Sequence, residues 1–233
     1  MEETDVAWFA GVLHSDGYVY RKSGEIREIR LAVAPCSIEM ARKWRKLLDE
    51  MTGKKHIMRK TRTWDARYSQ HWELLWTRDG SKKATREIIS VLNKPGFGLR
   101  EGEFETDSED VFGAYLAGLI DGDGSVQIRN SSDGYTRELL FKITSQNRAA
   151  FEKLRKHLRR FGQADGYISK YPNHYDFWVY VNKNLFKWLN AKVVSHLAIS
   201  RKRRRLRLGA RKMAPLSLGS ALAKTSAPRK CRG

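Results

Sequence analysis

The sequence predicts an α+β protein made of two copies of one αββαββα unit within a single chain. Two observations carry that reading. The first is a pair of short apolar stretches that correspond position by position. Ala7, Gly11, Ser15 and Asp16 each lie 107 residues before Ala114, Gly118, Gly122 and Asp123. The second is the order that follows each stretch: two alternating runs, a helical run, two more alternating runs and a last helical run.

Each stretch reads as a helix. Small residues every four positions fall on one face and let another helix backbone come unusually close. Asp16 precedes Gly17, and Asp123 precedes Gly124. Gly124 suits the left-handed position that closes a helix. The two acids then sit at helix C-termini, where unpaired carbonyls carry partial negative charge. A carboxylate placed there is stable only beside a cation. Packed stripe against stripe, the helices bring Asp16 and Asp123 together at one end. A lone Asp-Gly pair is usually a turn. Two of them, each closing a matched small-residue helix, ask for more. A Gly-x-x-x-Gly stripe also occurs in membrane helices, but the charge-free run 111–120 is far short of the ~20 residues a bilayer needs.

The remaining elements follow in order. Tyr18 to Arg21 reads as a short strand, and Lys22-Ser23-Gly24-Glu25 as its turn. Residues 26–34 alternate, with Ile29, Leu31 and Val33 on one face and Arg30 on the other. Ser37 is placed to cap a helix from Ile38 to Met51, with Gly53 closing it. The basic run Lys54 to Arg62 reads as extended. Tyr68 to Thr77 alternates, with Trp72, Leu74 and Trp76 on one face, and Lys82 to Leu92 reads as a helix ended by Pro95 and Gly96. The second half repeats this order. Val126 and Ile128 point inward, Ser131 to Gly134 turns, and Leu139, Phe141 and Ile143 face the core with Lys142 opposite. Asn147 is placed to cap a helix to Phe161, closed by Gly162. Strands are expected at 167–170 and 175–181, and a last helical region starts at Lys183.

Between the halves, residues 96–110 hold Glu101, Glu103, Glu105, Asp107, Glu109 and Asp110 against Arg100 alone. This reads as a solvated linker held off polyanions by its own charge. The expected division is therefore 5–95, linker 96–110, 111–200, and a basic tail 201–233. The tail opens with Arg201 to Arg205, a basic cluster that reads as the end of a helix, a localisation signal or plain phosphate contacts, and is expected to be disordered from 209 onward.

Lys and Arg outnumber Asp and Glu by 45 to 26, a formal charge of +19 over 233 residues. Such an excess points to a polyanionic partner, most simply nucleic acid. Cys36 and Cys231 make neither a disulfide framework nor a zinc site, which fits an intracellular setting. Glu2, Glu3 and Asp5 have the wrong sign for a signal peptide. No membrane association is expected. Arg exceeds Lys, 25 to 20, which favours an archaeal or bacterial cytoplasm over an AT-rich organelle.

Leu116 to Gly124 resembles the signature of the LAGLIDADG homing endonucleases, with Gly122 where that name has Ala. Phe9 to Gly17 resembles a degenerate first copy. The resemblance covers roughly residues 5 to 200 as two repeats. Each repeat would offer an antiparallel sheet with one face under helices and one free, and the pair a saddle suited to the DNA major groove. Tyr18, Tyr20, Lys22, Arg30, Gln127, Arg129 and Lys142 are expected on the free faces, with Arg59, Lys60, Arg62 and Lys170 on the outer hairpins.

Asp16 and Asp123 are the candidate catalytic acids. Carboxylates are hard ligands suited to Mg²⁺, with Mn²⁺ as a substitute, and the carbonyls of Ser15 and Gly122 are candidate further ligands. The resemblance implies cutting of both strands of a long asymmetric target across the minor groove, leaving short 3′ extensions. It carries the two terminal acids over to Asp16 and Asp123. It also implies a basic residue near each metal, for which Lys94, Lys142 and Lys202 are candidates. Asp121 and its counterpart His14 read as supports around the site. The expected protein is an intron-encoded monomer acting on double-stranded DNA. The alternatives are an RNA maturase that binds intron RNA and a DNA-binding regulator without nuclease activity.

Overall fold

The computed structural model describes residues 1–65, 70–78, 82–130 and 137–213, with side chains at all but 62–65, 70–78, 130, 137 and 210–213. The first half runs α1 (Glu3–Ser15), β1 (Gly17–Lys22), β2 (Glu25–Val33), α2 (Ile38–Thr52), β3 (Arg59–Asp65), β4 (Gln70–Arg78) and α3 (Lys82–Asn93). The second runs α4 (Glu109–Asp121), β5 (Ser125–Asn130), β6 (Arg137–Ser145), α5 (Arg148–Phe161), β7 (Tyr167–Lys170), β8 (Tyr175–Tyr180) and α6 (Lys183–Lys192), followed by α7 (Ser200–Met213). Two four-stranded antiparallel sheets result, ordered β1-β2-β4-β3 and β5-β6-β8-β7. The expected αββαββα unit is therefore present twice.

Local chemistry explains most boundaries. Ser108, Asn147 and Asn182 accept hydrogen bonds from Val111, Ala150 and Leu185 amides and so cap α4, α5 and α6. Gly53 closes α2 at φ 64°. Ser37 makes no side-chain cap; it ends a 3₁₀ turn from Pro35 instead. Gly162 stays right-handed, and its neighbour Gln163 takes the positive φ of 48°.

The core lies between the sheets and their helices. Ile29, Leu31 and Val33 are buried on one side, and Leu139, Phe141 and Ile143 on the other. Phe9 stacks on Trp44 of α2, and Phe151 of α5 stacks on Phe177 of β8. Each sheet turns its opposite face outward. Tyr18 and Arg30 are register partners there, as are Gln127 and Leu140.

Two expectations need correction. The linker is not solvated throughout. Phe97 and Phe104 are buried, and Phe104 stacks on Tyr115 of α4. Its acids pair with α5, as in Lys153–Glu105 and Arg160–Asp107. The two aromatics outweigh the charge pattern because burying them stabilises the linker against the core. Nor does the fold stop at residue 200. α7 packs against β5 and β6 and buries Lys202 and Leu206. The Arg201–Arg205 cluster is thus part of a docked helix. The turn 131–134, Tyr68 and the tail from 214 lie outside the described residues.

Candidate functional site

α1 and α4 pack through their small residues. A methyl group added at Gly118 would strike the Trp8 carbonyl and lie 3.0 Å from Gly11 Cα; one at Gly11 would strike the Tyr115 carbonyl. Only bare backbone fits on either side. The helices run parallel, because their C-terminal ends meet. A methyl at Gly122 would lie 2.8 Å from Ser15 Cβ and 3.5 Å from the Asp16 amide.

Asp16 and Asp123 follow at these ends, and their carboxyls hydrogen-bond each other. Both are pushed above the usual carboxylate range. Partial loss of water at the packed ends is the main cause for each, and for Asp16 the facing Asp123 charge adds to it. Two acids held this way favour a shared proton or a cation between them. The residues therefore fit a divalent metal: two carboxylates, beside the Ser15 carbonyl. Among the described residues no third acid, histidine or cysteine joins them, so water and substrate phosphate would complete the shell.

Gly124 does not take the left-handed conformation; its role is close approach. A side chain there would strike Ile120 Cα, and its amide donates to the Leu119 carbonyl at 3.1 Å.

Residues 110–209 match the LAGLIDADG-like domain. The second half of the chain therefore carries a LAGLIDADG-like domain. Solved structures extend the likeness over both halves. Full-length DUF199/WhiA from Thermatoga maritima gives a TM-score of 0.59 at 15% identity, covering 94% of this chain. This chain spans 63% of that protein's length. The homing endonuclease I-WcaI bound to its DNA recognition sequence gives 0.59 at 12% identity, over 88% of this chain and 86% of that one. I-DmoI in complex with DNA and Mn gives 0.53 at 18%, over 84% and 99%. At such identities the likeness is one of fold. No curated protein matches the chain in sequence.

The two paired helices, α1 and α4, end differently. At α4, the Lys202 ammonium of α7 donates to the carbonyls of Ile120, Asp121 and Gly122 at 2.5, 2.7 and 3.1 Å. The Asp121 carboxylate answers by accepting from the Ala198 and Ile199 amides at 2.6 and 3.1 Å and from Trp8 Nε1 at 3.0 Å. Burial lowers the Lys202 ammonium to about 8. At α1, Ser15 Oγ turns back to the Gly11 and Val12 carbonyls at 2.9 and 3.2 Å. His14, the counterpart of Asp121, meets the Tyr115 hydroxyl at 3.1 Å, and burial lowers its pKa to about 4. So His14 is a neutral packing group, and the carbonyl of Gly122 is shared with a lysine.

The three candidate basic residues separate clearly. Lys202 is at the site. Lys142 is not free: its ammonium pairs with Asp176 at 3.0 Å on the open face of the second sheet. Lys94 is remote. Its neighbour Pro95 shares a cavity with Glu3 and Ser108, at the far ends of α1 and α4, roughly 20 Å from the acids at 1.5 Å per residue.

The open faces hold Tyr18, Tyr20 and Arg30 on the first sheet and Gln127, Arg129 and Lys142 on the second. A bulge after Tyr20 shifts the register, so Lys22 pairs with Glu25 beyond it. Arg59 shares the open-face row with Trp76 and Ala32. Lys60 is a register partner of Leu75, which pairs with Val33, Arg62 is a register partner of Glu73, and Lys170 one of Tyr175, which pairs with Ser145. All four lie on the outer hairpins, as expected, and Lys60 and Lys170 are exposed there.

Three participants escaped the sequence reading. Glu101 of the linker is raised to about 7, chiefly by burial, with the Asp123 charge adding to it and the Ser145 hydroxyl opposing. Asp176 is buried on an open sheet face between Lys142 and Thr144. Trp8 reaches Asp121. The acid in the apolar run 175–180 was the one available signal for Asp176.

Proposed function

We propose that this chain is a divalent-metal-dependent endonuclease that cuts both strands of a long duplex DNA site, with Mg²⁺ as the working ion and Mn²⁺ as a substitute. The observation that supports it is the convergence of Asp16 and Asp123 at paired helix ends, one acid from each half. Each half then serves one strand, and a single chain suffices, so the protein acts as a monomer. The I-WcaI and I-DmoI structures, with DNA and with DNA and Mn, support the substrate and the class of ion.

Asp16 and Asp123 would hold the metal, which supplies charge stabilisation and lowers the pKa of a bound water. The chain's residues do the rest. The negative helix ends favour positive charge where the strands meet. Lys202 neutralises the three α4 carbonyls, so that Asp123 faces the substrate from a fixed end. The basic open faces position the duplex through its phosphates.

One observation favours a second reading, a DNA-binding regulator without cleavage. The Lys202 ammonium already occupies the Gly122 carbonyl, and the fold is shared with DUF199/WhiA.

Cut sites can be selected from a plasmid library of randomised targets, then tested with Asp16→Asn and Asp123→Asn. Each variant should lose double-strand cleavage by at least about 10³-fold, roughly 4 kcal/mol in the barrier, while binding in Ca²⁺ persists. Affinity should fall with salt with a log–log slope of about −5 or steeper. Cleavage by both variants at the wild-type rate would remove these acids from the mechanism. A salt-steep binder that yields no cut site is the regulator.

A further inference from the structure

The outer half of the second sheet carries a group of aromatic rings on its open face. Tyr167, Tyr171 and Tyr180 are 44%, 41% and 45% exposed, unusual for rings on a sheet with a complete core beneath. Tyr167 and Trp178 are register partners, with rings 7° from parallel and centroids 6.2 Å apart. Tyr180 lies two residues along the same face of β8, at 6.1 Å and 20° from Tyr167. The Arg129 guanidinium sits 4.8 Å from the Trp178 ring centre. Lys142 lies 5.3 Å from that ring, although Asp176 holds much of its charge. At the hairpin tip, Tyr171 and His174 stack at 4.8 Å.

Base faces inside a duplex are covered by their neighbours, so a protein ring there meets only base edges. An unpaired base offers its whole face, and aromatic rings interleaved with cations are what such strands bind. We infer that Tyr167, Trp178 and Tyr180 form a stacking platform for unpaired nucleotides of a single strand, with Arg129 alongside to meet its phosphates. The charge of +19 supplies the complementarity. β8 and β7 are the strands farthest in sheet order from β5, which follows the Asp123 end of α4. The rings thus stand on strands remote from the acids, while Arg129 of β5 is shared with the row that faces the duplex. DNA and RNA single strands share this chemistry.

The test is fluorescence anisotropy with labelled oligonucleotides of about 12 residues, within the usual site size. Oligo(dT), oligo(U) and a DNA duplex of equal length are titrated against the full chain and against Trp178→Ala and Tyr180→Ser. Both variants should weaken single-strand binding by about tenfold or more and duplex binding by less than about twofold. Whichever of oligo(dT) and oligo(U) loses more is the platform's strand. Should Trp178→Ala fail to fold by circular dichroism, the exposed Tyr180→Ser decides. Unchanged single-strand affinity in the folded variants overturns the inference. So does a parallel loss on the duplex, which would make these rings part of the duplex interface.

Discussion

The α1 end and the α4 end carry the same acid at the same place and are held by unlike means. At α1 the chain serves itself: Ser15 Oγ satisfies the carbonyls one turn back. At α4 a separate helix does the work, with Lys202 on three carbonyls and Asp121 on two amides leading into α7. The position 107 residues before Lys202 is Pro95, at the opposite end of the helix pair. The repeat therefore specifies the stripe and the acids but not their surroundings. Two strands of DNA would meet two different halves of one site.

The largest expected effect removes what the halves share. Gly118→Leu places a side chain where even a Cβ strikes the Trp8 carbonyl. Backbone on both sides cannot repack, so stability should fall by more than about 4 kcal/mol. Denaturant unfolding followed by circular dichroism reads this directly. A variant as stable as the parent would mean that the helices do not pack through this stripe.

The next effect tests the difference between the ends. Lys202→Met leaves three buried carbonyls without a partner and Asp121 without its facing charge. The expected cost is about 3 kcal/mol. Ser15→Ala removes only a back-bond within one helix, worth about 0.5 kcal/mol in either direction. Equal effects of the two substitutions would show that the ends are held alike.

How far the sequence spoke follows the same divide. The α+β order was legible because period-two runs and capped helical runs are local signals, and the constant offset confirmed them against each other. The two acids were legible because Asp-Gly closed both matched helices. The basic partner was not. Lys94, Lys142 and Lys202 look alike in sequence, and only tertiary placement puts Lys202 on α4. The open-face residues were legible on β1, β2, β5 and β6, where buried aliphatics fix the register. Lys60, Arg62 and Lys170 lie on the edge strands β3 and β7, where the hairpin is legible in sequence and the face is not. Phe104 was hidden between Glu103 and Glu105, and Phe97 between two glycines, so the linker passed for solvated.

The last effect concerns that linker, whose Phe104, Glu105 and Asp107 lean on the second half. Glu101 is half-buried, and its carboxyl is raised to about 7, by burial first and by Asp123 as well. In the unfolded chain it titrates near the ordinary value of about 4.3. The folded state therefore keeps a proton that the unfolded state has lost between these values. By linkage, stability is greatest below about pH 4.3, declines as pH rises toward 7, and is flat above. The decline attributable to this group should be about 1–2 kcal/mol, after allowance for partial solvent access. Glu101→Gln resembles the protonated form and should lose that decline, so the two proteins should diverge between pH 5 and 8 in urea unfolding. The Asp123 charge helps to raise Glu101, and Asp16 is not among the causes. Asp123→Asn should therefore move the Glu101 transition to lower pH, while Asp16→Asn should leave it in place. If both substitutions move it equally, the linker senses the acid pair as a whole, and the two ends are electrostatically alike.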